Sequence, residues 1–167
     1  KAIMIPFNEQ KDAFLVQFST LAYLPIIGTK QGQTKIRDEL VASSFTSPYG
    51  LQARQWKLAL TDALDLIIRG WEANIAILKD EYVYRHEGLT EDEKHYANWL
   101  LYKGQTGRDY ERIVAIYKDI DLTYETIRLD AKGRKKVRSY LHRTLRKIQG
   151  NKPRVQLMRS VYCDPQT

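Results

Sequence analysis

The sequence predicts a mainly α fold, a helical bundle around one long helix, with a small β element formed by strands near the N- and C-terminal ends. Three observations predict it. One apolar stripe at helical spacing continues from Trp56 to Leu78; helix-start chemistry recurs at Ser47-Pro48 and at Thr90-Glu91-Asp92-Glu93; and short strand-like apolar runs lie at residues 2–5 and 155–162. With 167 residues and 43% hydrophobic content, the chain is long enough to bury a substantial core.

Residues 2–5 are apolar and bounded by Pro6, as a short strand would be. Asn8 can cap a following helix in which Phe14, Leu15, Phe18, Leu21 and Ala22 share one side, until Pro25 and Gly28 interrupt the pattern. Thr34 can cap a shorter helix with apolar positions Ile36, Leu40 and Val41. Ser47 then places a capping hydroxyl before Pro48, a residue suited to a first helical turn. Trp56, Ala59, Leu60, Ala63, Leu64, Ile67, Ile68, Trp71, Ile75 and Leu78 follow in one stripe, predicting a helix over residues 48–84 against which the others pack. Thr90 and Glu93 have the capping-box spacing and start a helix ending near Gly104. Tyr110, Ile113, Val114 and Tyr117 mark one more.

Residues 122–129 fit strand by composition and helix by spacing. Over residues 131–149, Val137, Leu141, Leu145 and Ile148 share a face, and Gly150 stops the run. Lys132, Lys135, Ser139, Arg143 and Arg146 fall on the opposite face, with His142 and Lys147 at its margins. Pro153 resets the backbone before the strand expected at residues 155–162. The expected organisation is a helical core with the N-terminal strand over residues 1–130, and a basic helix with its following strand, packed on the same domain, over residues 131–167.

Charge is the strongest functional signal. Residues 131–163 contain eleven Lys or Arg and no acid, so the net charge of +7 conceals a segregated field. Such a field attracts polyanions, with nucleic acid the first expectation and an anionic membrane surface its competitor. Basic residues at helical spacings align along a ridge that phosphates can follow, and Tyr140, Tyr162 and the Arg planes could stack on exposed bases. The expected phosphate contacts are Lys132, Lys135, Lys136, Arg138, Arg143, Arg146, Lys147, Lys152, Arg154 and Arg159.

Other chemistry has little support. Trp56, Trp71 and Trp99 read as core residues. His86, His95 and His142 are scattered and Cys163 is the single cysteine, so neither a zinc site, another metal nor an internal disulfide is expected. Gly104-Gln105-Thr106-Gly107 lacks the Lys-Ser/Thr of a phosphate-cradling loop, and nothing orients a Ser-His-Asp or Cys-His nucleophile. No catalytic residue and no cofactor is inferred. There is no long apolar span or secretory leader, which points to an intracellular, cytoplasmic protein outside the membrane. The opening on Lys1 and the close on Asp164-Pro165-Gln166-Thr167 read as a segment of a longer protein.

Three blocks, in this order, resemble the TnpB family of transposon-encoded RNA-guided nucleases, which are related to type V CRISPR effectors. Lys1-Ala2-Ile3-Met4-Ile5-Pro6-Phe7-Asn8-Glu9-Gln10 is similar to the family's opening strand leading into its first helix. Gly50-Leu51-Gln52-Ala53-Arg54-Gln55-Trp56-Lys57-Leu58-Ala59-Leu60-Thr61-Asp62-Ala63-Leu64 resembles a family helix with Leu, Arg/Gln and an Ala-Leu-Asp-Ala type motif. Gly133-Arg134-Lys135-Lys136 through Lys152-Pro153-Arg154-Val155 resembles the basic helix and strand before the nuclease domain. The resemblance implies a recognition and wedge portion that holds structured RNA or an RNA-DNA hybrid. It implies that this chain is not itself the enzyme, since the family's Asp, Glu, Asp set for magnesium lies in a nuclease domain to which nothing here corresponds; a full-length parent could be a metal-dependent endonuclease. The alternative is a helical module that binds an acidic protein or associates with itself.

Overall fold

Helices carry most of the chain between residues 4 and 149, the residues that the computed structural model describes. The protein is mainly helical, with one long helix and one two-stranded antiparallel sheet among the described residues. Two compact units are distinguished, residues 4–70 and 71–149 of the described chain, the division falling within the long helix.

The first unit begins with α1 (Met4–Phe18). Pro6 sits in its first turn, where backbone N–H groups have no intrahelical partner and a missing donor costs little. The helix therefore starts ahead of Asn8, the expected cap, and Met4 and Ile5 of the expected strand are helical. A single 3-10 turn (Leu21–Tyr23) leads into α2 (Leu24–Ile27) and α3 (Lys30–Ala42). The cap of α3 is Thr29 rather than Thr34. Thr29 has an extended backbone (φ −121°, ψ 151°), which lets its Oγ1 accept from the Gly32 N–H at 3.0 Å, whereas Thr34 lies inside the helix. Gly32 permits a close approach: a Cβ there would fall on the carbonyl oxygen of Ile26.

The long helix, α4 (Ala53–Ile77), starts five residues later than Ser47-Pro48 suggests. Ser47 is buried and spends its hydroxyl on the Gln10 Oε1, 2.8 Å away, while accepting from the Tyr49 N–H. Gly50 then takes φ +80° and redirects the backbone, and Gln55 accepts from the Gln52 N–H at the true helix start. The core of this unit is aromatic: Phe14 lies 6.0 Å from Phe18, 5.6 Å from Phe45 and 6.5 Å from Trp56, and Phe45 meets Trp56 edge-on at 4.9 Å. Such pairs contribute about 0.5–1.5 kcal/mol each beyond area burial.

In the second unit α4 passes into a π-helical stretch (Leu78–Tyr84). Next come α5 (Glu91–Leu100), the hairpin β1 (Lys103–Gly104) and β2 (Gly107–Arg108), α6 (Tyr110–Lys118) and α7 (Ala131–Gln149). The capping box is present as expected, with the Thr90 Oγ1 accepting from the Glu93 N–H and the Glu93 Oε1 from the Thr90 N–H. α5 and α6 pack on α7, burying Tyr96, Leu100, Ile113, Val137, Leu141 and Leu145 completely. Within this unit Trp71 meets Tyr117 edge-on at 5.8 Å.

The β element lies at residues 103–108. Lys103 pairs with Arg108 and Gly104 with Gly107, whose φ of +114° suits a tight turn. Glu72 holds this hairpin, accepting from Arg108 Nη2 at 2.9 Å and from the Tyr110 hydroxyl at 2.6 Å. Burial pushes the Glu72 carboxyl up, but the Arg108 and Tyr110 hydrogen bonds, with the charges of Arg108 and Lys103, outweigh it and hold the group below the usual carboxylate range. Burial and then Glu72 push the Tyr110 phenol well above its ordinary value. Residues 122–129 form neither strand nor helix but an irregular loop containing a turn, in which the Ile127 N–H donates to the Tyr124 carbonyl. Residues 1–3 and the expected strand at residues 155–162 lie outside the described residues.

Candidate nucleic-acid interface

α7 starts where the Asp130 Oδ1 accepts from the Gly133 N–H at 2.8 Å, a local cap that the sequence carries in Asp130-Ala131-Lys132-Gly133. Its eight Lys and Arg then divide between two environments.

The inner edge is structural. Arg138 is only 4% exposed and donates to Asp119 (Nε to Oδ1, 3.0 Å), to Asp121 (Nη1 to Oδ1, 3.0 Å) and to the Tyr96 hydroxyl (3.0 Å). Arg134 grips Asp121 with two parallel bonds, 2.7 and 2.9 Å, and donates to the Leu129 carbonyl. The Tyr96 hydroxyl in turn donates a hydrogen bond to the Leu122 carbonyl at 2.8 Å. Burial raises its phenol above the ordinary value against the pull of Arg138. The hydrogen bond from Arg134, against a lesser burial cost, holds the Asp121 carboxyl below its usual range. Asp119 can reach this position because it takes a left-handed backbone (φ 53°, ψ 47°) at the end of α6. Five side chains, Tyr96 from α5, Asp119 and Asp121 from the loop at residues 119–130, and Arg134 and Arg138 from α7, are thereby locked together.

Arg138 was expected among the phosphate contacts, and its burial makes that a correction. It neighbours Val137 and stands three residues before Leu141, so the helix turns it toward the packed side, where Asp119 and Asp121 neutralise it. Lys135 and Lys136 are intermediate cases. Lys136 Nζ lies 3.1 Å from the Glu93 Oε2 and Lys135 Nζ 3.8 Å from the Asp119 Oδ2, yet their side chains remain 65% and 67% exposed. The backbone hydrogen bond from Thr90, and then Lys136, keeps Glu93 below the ordinary carboxylate range.

The outer ridge is different. Lys132, Arg143, Arg146 and Lys147 are exposed and make no ion pair with a described residue; Arg143 reaches only the Ser139 carbonyl, at 3.4 Å. Lys132, Ser139, Arg143 and Arg146 are spaced by seven, four and three residues, which keeps them on one helical face. Six exposed cations, counting Lys135 and Lys136, therefore share this side of α7. Lys152, Arg154, Arg159 and Tyr162 lie outside the described residues.

Tyr140 is a packing residue: its hydroxyl donates to the Tyr82 carbonyl of the π-helical stretch at 2.7 Å, and its ring meets His86 edge-on. His142 lies against Tyr117 at 4.6 Å, and burial, reinforced by Arg146, lowers its pKa, so it adds no charge to the ridge near neutrality. Trp56 and Trp71 are core residues, but Trp99 is only half-buried and lines a cleft on the outer side of α5. Arg134 and the acids Asp119 and Asp121 went unrecognised in the sequence because the pairing depends on a loop between two helices. Among the described residues, no helix is long and apolar enough to cross a membrane. Compared with known proteins, the chain matches no family model, no curated protein and no solved structure.

Proposed function

We propose that this chain is a nucleic-acid-binding recognition module that holds structured RNA or an RNA-DNA hybrid through phosphate contacts along the outer face of α7. One observation carries the reading: Lys132, Arg143, Arg146 and Lys147 stand exposed on one helix face without an ion-pair partner among the described residues, while the acids nearby are consumed by Arg134 and Arg138. A solvated helix face ordinarily mixes both signs, and α7 carries no acid at all. The resemblance of the blocks at residues 50–64 and 133–155 to TnpB proteins supports reading the chain as a recognition portion working beside a nuclease domain in an intracellular setting, while the block at residues 1–10 departs from the family's opening strand because Met4 and Ile5 are helical.

The test is titration of the chain with a structured RNA, an RNA-DNA hybrid and duplex DNA, followed by anisotropy. Arg143→Glu with Arg146→Glu should weaken binding strongly, because the pair replaces two attractive charges with two repulsive ones. An unchanged binding curve removes the surface, and association that survives nuclease treatment would move the assignment to a protein partner.

A further inference from the structure

We infer that the cleft beside Trp99 receives one unstacked nucleobase from an unpaired loop or end of the bound RNA, with Tyr102 as its stacking platform. The cleft encloses about 380 Å³ and is lined by His95, Asn98, Trp99, Tyr102, Arg112 and Tyr124. That volume is at the small end of the roughly 300–1,000 Å³ typical of ligand pockets, which suits one base with its sugar. Four of the six lining residues carry rings, and none is an acid.

Its walls are preorganised. Trp99 stacks on Tyr124 with ring centres 4.8 Å apart, and the Arg112 guanidinium lies 4.3 Å from the Trp99 ring centre. Arg112 is fixed there by donating to the Trp99 carbonyl at 2.7 Å, and His95 Nε2 lies 3.0 Å from the Tyr124 hydroxyl. With Tyr124 and Arg112 already against Trp99, the platform left for an incoming ring is Tyr102, which is 57% exposed and joins no ring pair among the described residues. Every base has a π face, so such a platform accepts bases with little regard to sequence. The exposed Asn98 carboxamide offers both a donor and an acceptor to a base edge.

The choice of a base over another planar ring rests on the nucleic-acid reading of α7. The loop at residues 119–130 supplies both Tyr124, a wall of the cleft, and Asp119 and Asp121, which hold Arg134 and Arg138. The loop that is anchored to α7 thus also supplies one wall of the base-sized cleft.

The experiment is a ¹H–¹⁵N titration of the chain with AMP, UMP and ribose 5-phosphate, read at the Trp99 indole and the Asn98 side-chain amide. AMP and UMP should give saturable shifts at both, and ribose 5-phosphate should not. Tyr102→Ala should weaken nucleotide binding about tenfold, within the range for loss of one base stack, and Tyr102→Phe should restore it. Tyr102 is exposed, so neither substitution threatens the fold. Arg143→Glu with Arg146→Glu should leave the mononucleotide shifts intact while weakening RNA oligomers. Silence of both probe groups at saturating nucleotide, or equal shifts from ribose 5-phosphate, overturns the cleft assignment even if oligomers still bind α7. Nucleotide shifts without oligomer binding would leave the cleft standing and remove the ridge.

Discussion

Replacing Arg138 by Met keeps most of the side chain's length and apolar stem while deleting its charge and its donors. Three hydrogen bonds of 3.0 Å disappear, to Asp119, Asp121 and the Tyr96 hydroxyl, at a residue that is 4% exposed. Removing one partner of a buried ion pair typically costs about 3–5 kcal/mol, because the other charge is stranded. Here the stranded carboxylates are 47% and 40% exposed and can rehydrate, and Tyr96 keeps its bond to the Leu122 carbonyl. The expected loss is therefore smaller, about 2–3 kcal/mol, or a fall in Tm of about 5–10 °C for a chain of this size. Arg143→Met, on the same helix but exposed and unpaired, should change stability by less than about 0.5 kcal/mol. Thermal unfolding by circular dichroism gives the comparison, and hydrogen exchange at α5 and α7 localises it. In the Arg138→Met background, Asp119→Asn with Asp121→Asn should add much less than in the wild type, since the partners share one network. Equal costs for Arg138→Met and Arg143→Met would refute the division of α7 into an internal and an external set of cations.

Gly32→Ala should destabilise the first unit by about 1–3 kcal/mol, the cost of forced overpacking, because its Cβ meets the backbone at Ile26; chemical denaturation reads this directly. Acid should also weaken the fold. Glu72, Glu93 and Asp121 have folded-state pKa values below their ordinary ones, so their contribution is fully present above the unfolded values of about 4.3 for Glu and 3.9 for Asp, and is lost as pH falls through the folded values. Tm measured from pH 7 downward should drop below about pH 4, and Asp121→Asn should make that drop shallower; a Tm indifferent to acid would contradict the ion-pair lock.

What was legible in the sequence was local. The stripe from Trp56 to Leu78 needs only a helical period, and the Thr90-to-Glu93 capping box closes within four residues, so both are found in the structure. Ser47 has the same capping chemistry but is claimed by Gln10, 37 residues away in sequence, a contact no local reading anticipates. Met4 and Ile5 are apolar enough for strand, yet Pro6 is harmless in a helical first turn and α1 runs through them.

The site divided along the same line. That α7 would be amphipathic and basic followed from the spacing of Val137, Leu141 and Leu145. Which cations stay free did not, because their partners Glu93, Asp119 and Asp121 come from elsewhere in the fold. A trace of the answer was present, since Arg138 follows Val137 and stands at helical spacing before Leu141 and Leu145. Trp99 beside Leu100 and Leu101 looked internal, but α5 buries the leucine at position 100 toward its neighbours and leaves the indole at the cleft.

The salt dependence of RNA binding tests the central claim most directly. With four cations that make no ion pair among the described residues and two weakly paired ones on the outer ridge, counterion release predicts that log K falls with log salt with a slope of about −3 to −4 where the bound RNA is unpaired, and more steeply where it is duplexed. Arg143→Gln with Arg146→Gln, which deletes two of those charges, should make the slope shallower by about 1.4. A slope near zero, or a steep one that the double variant leaves untouched, would mean that the free cations of α7 are not where the polymer binds.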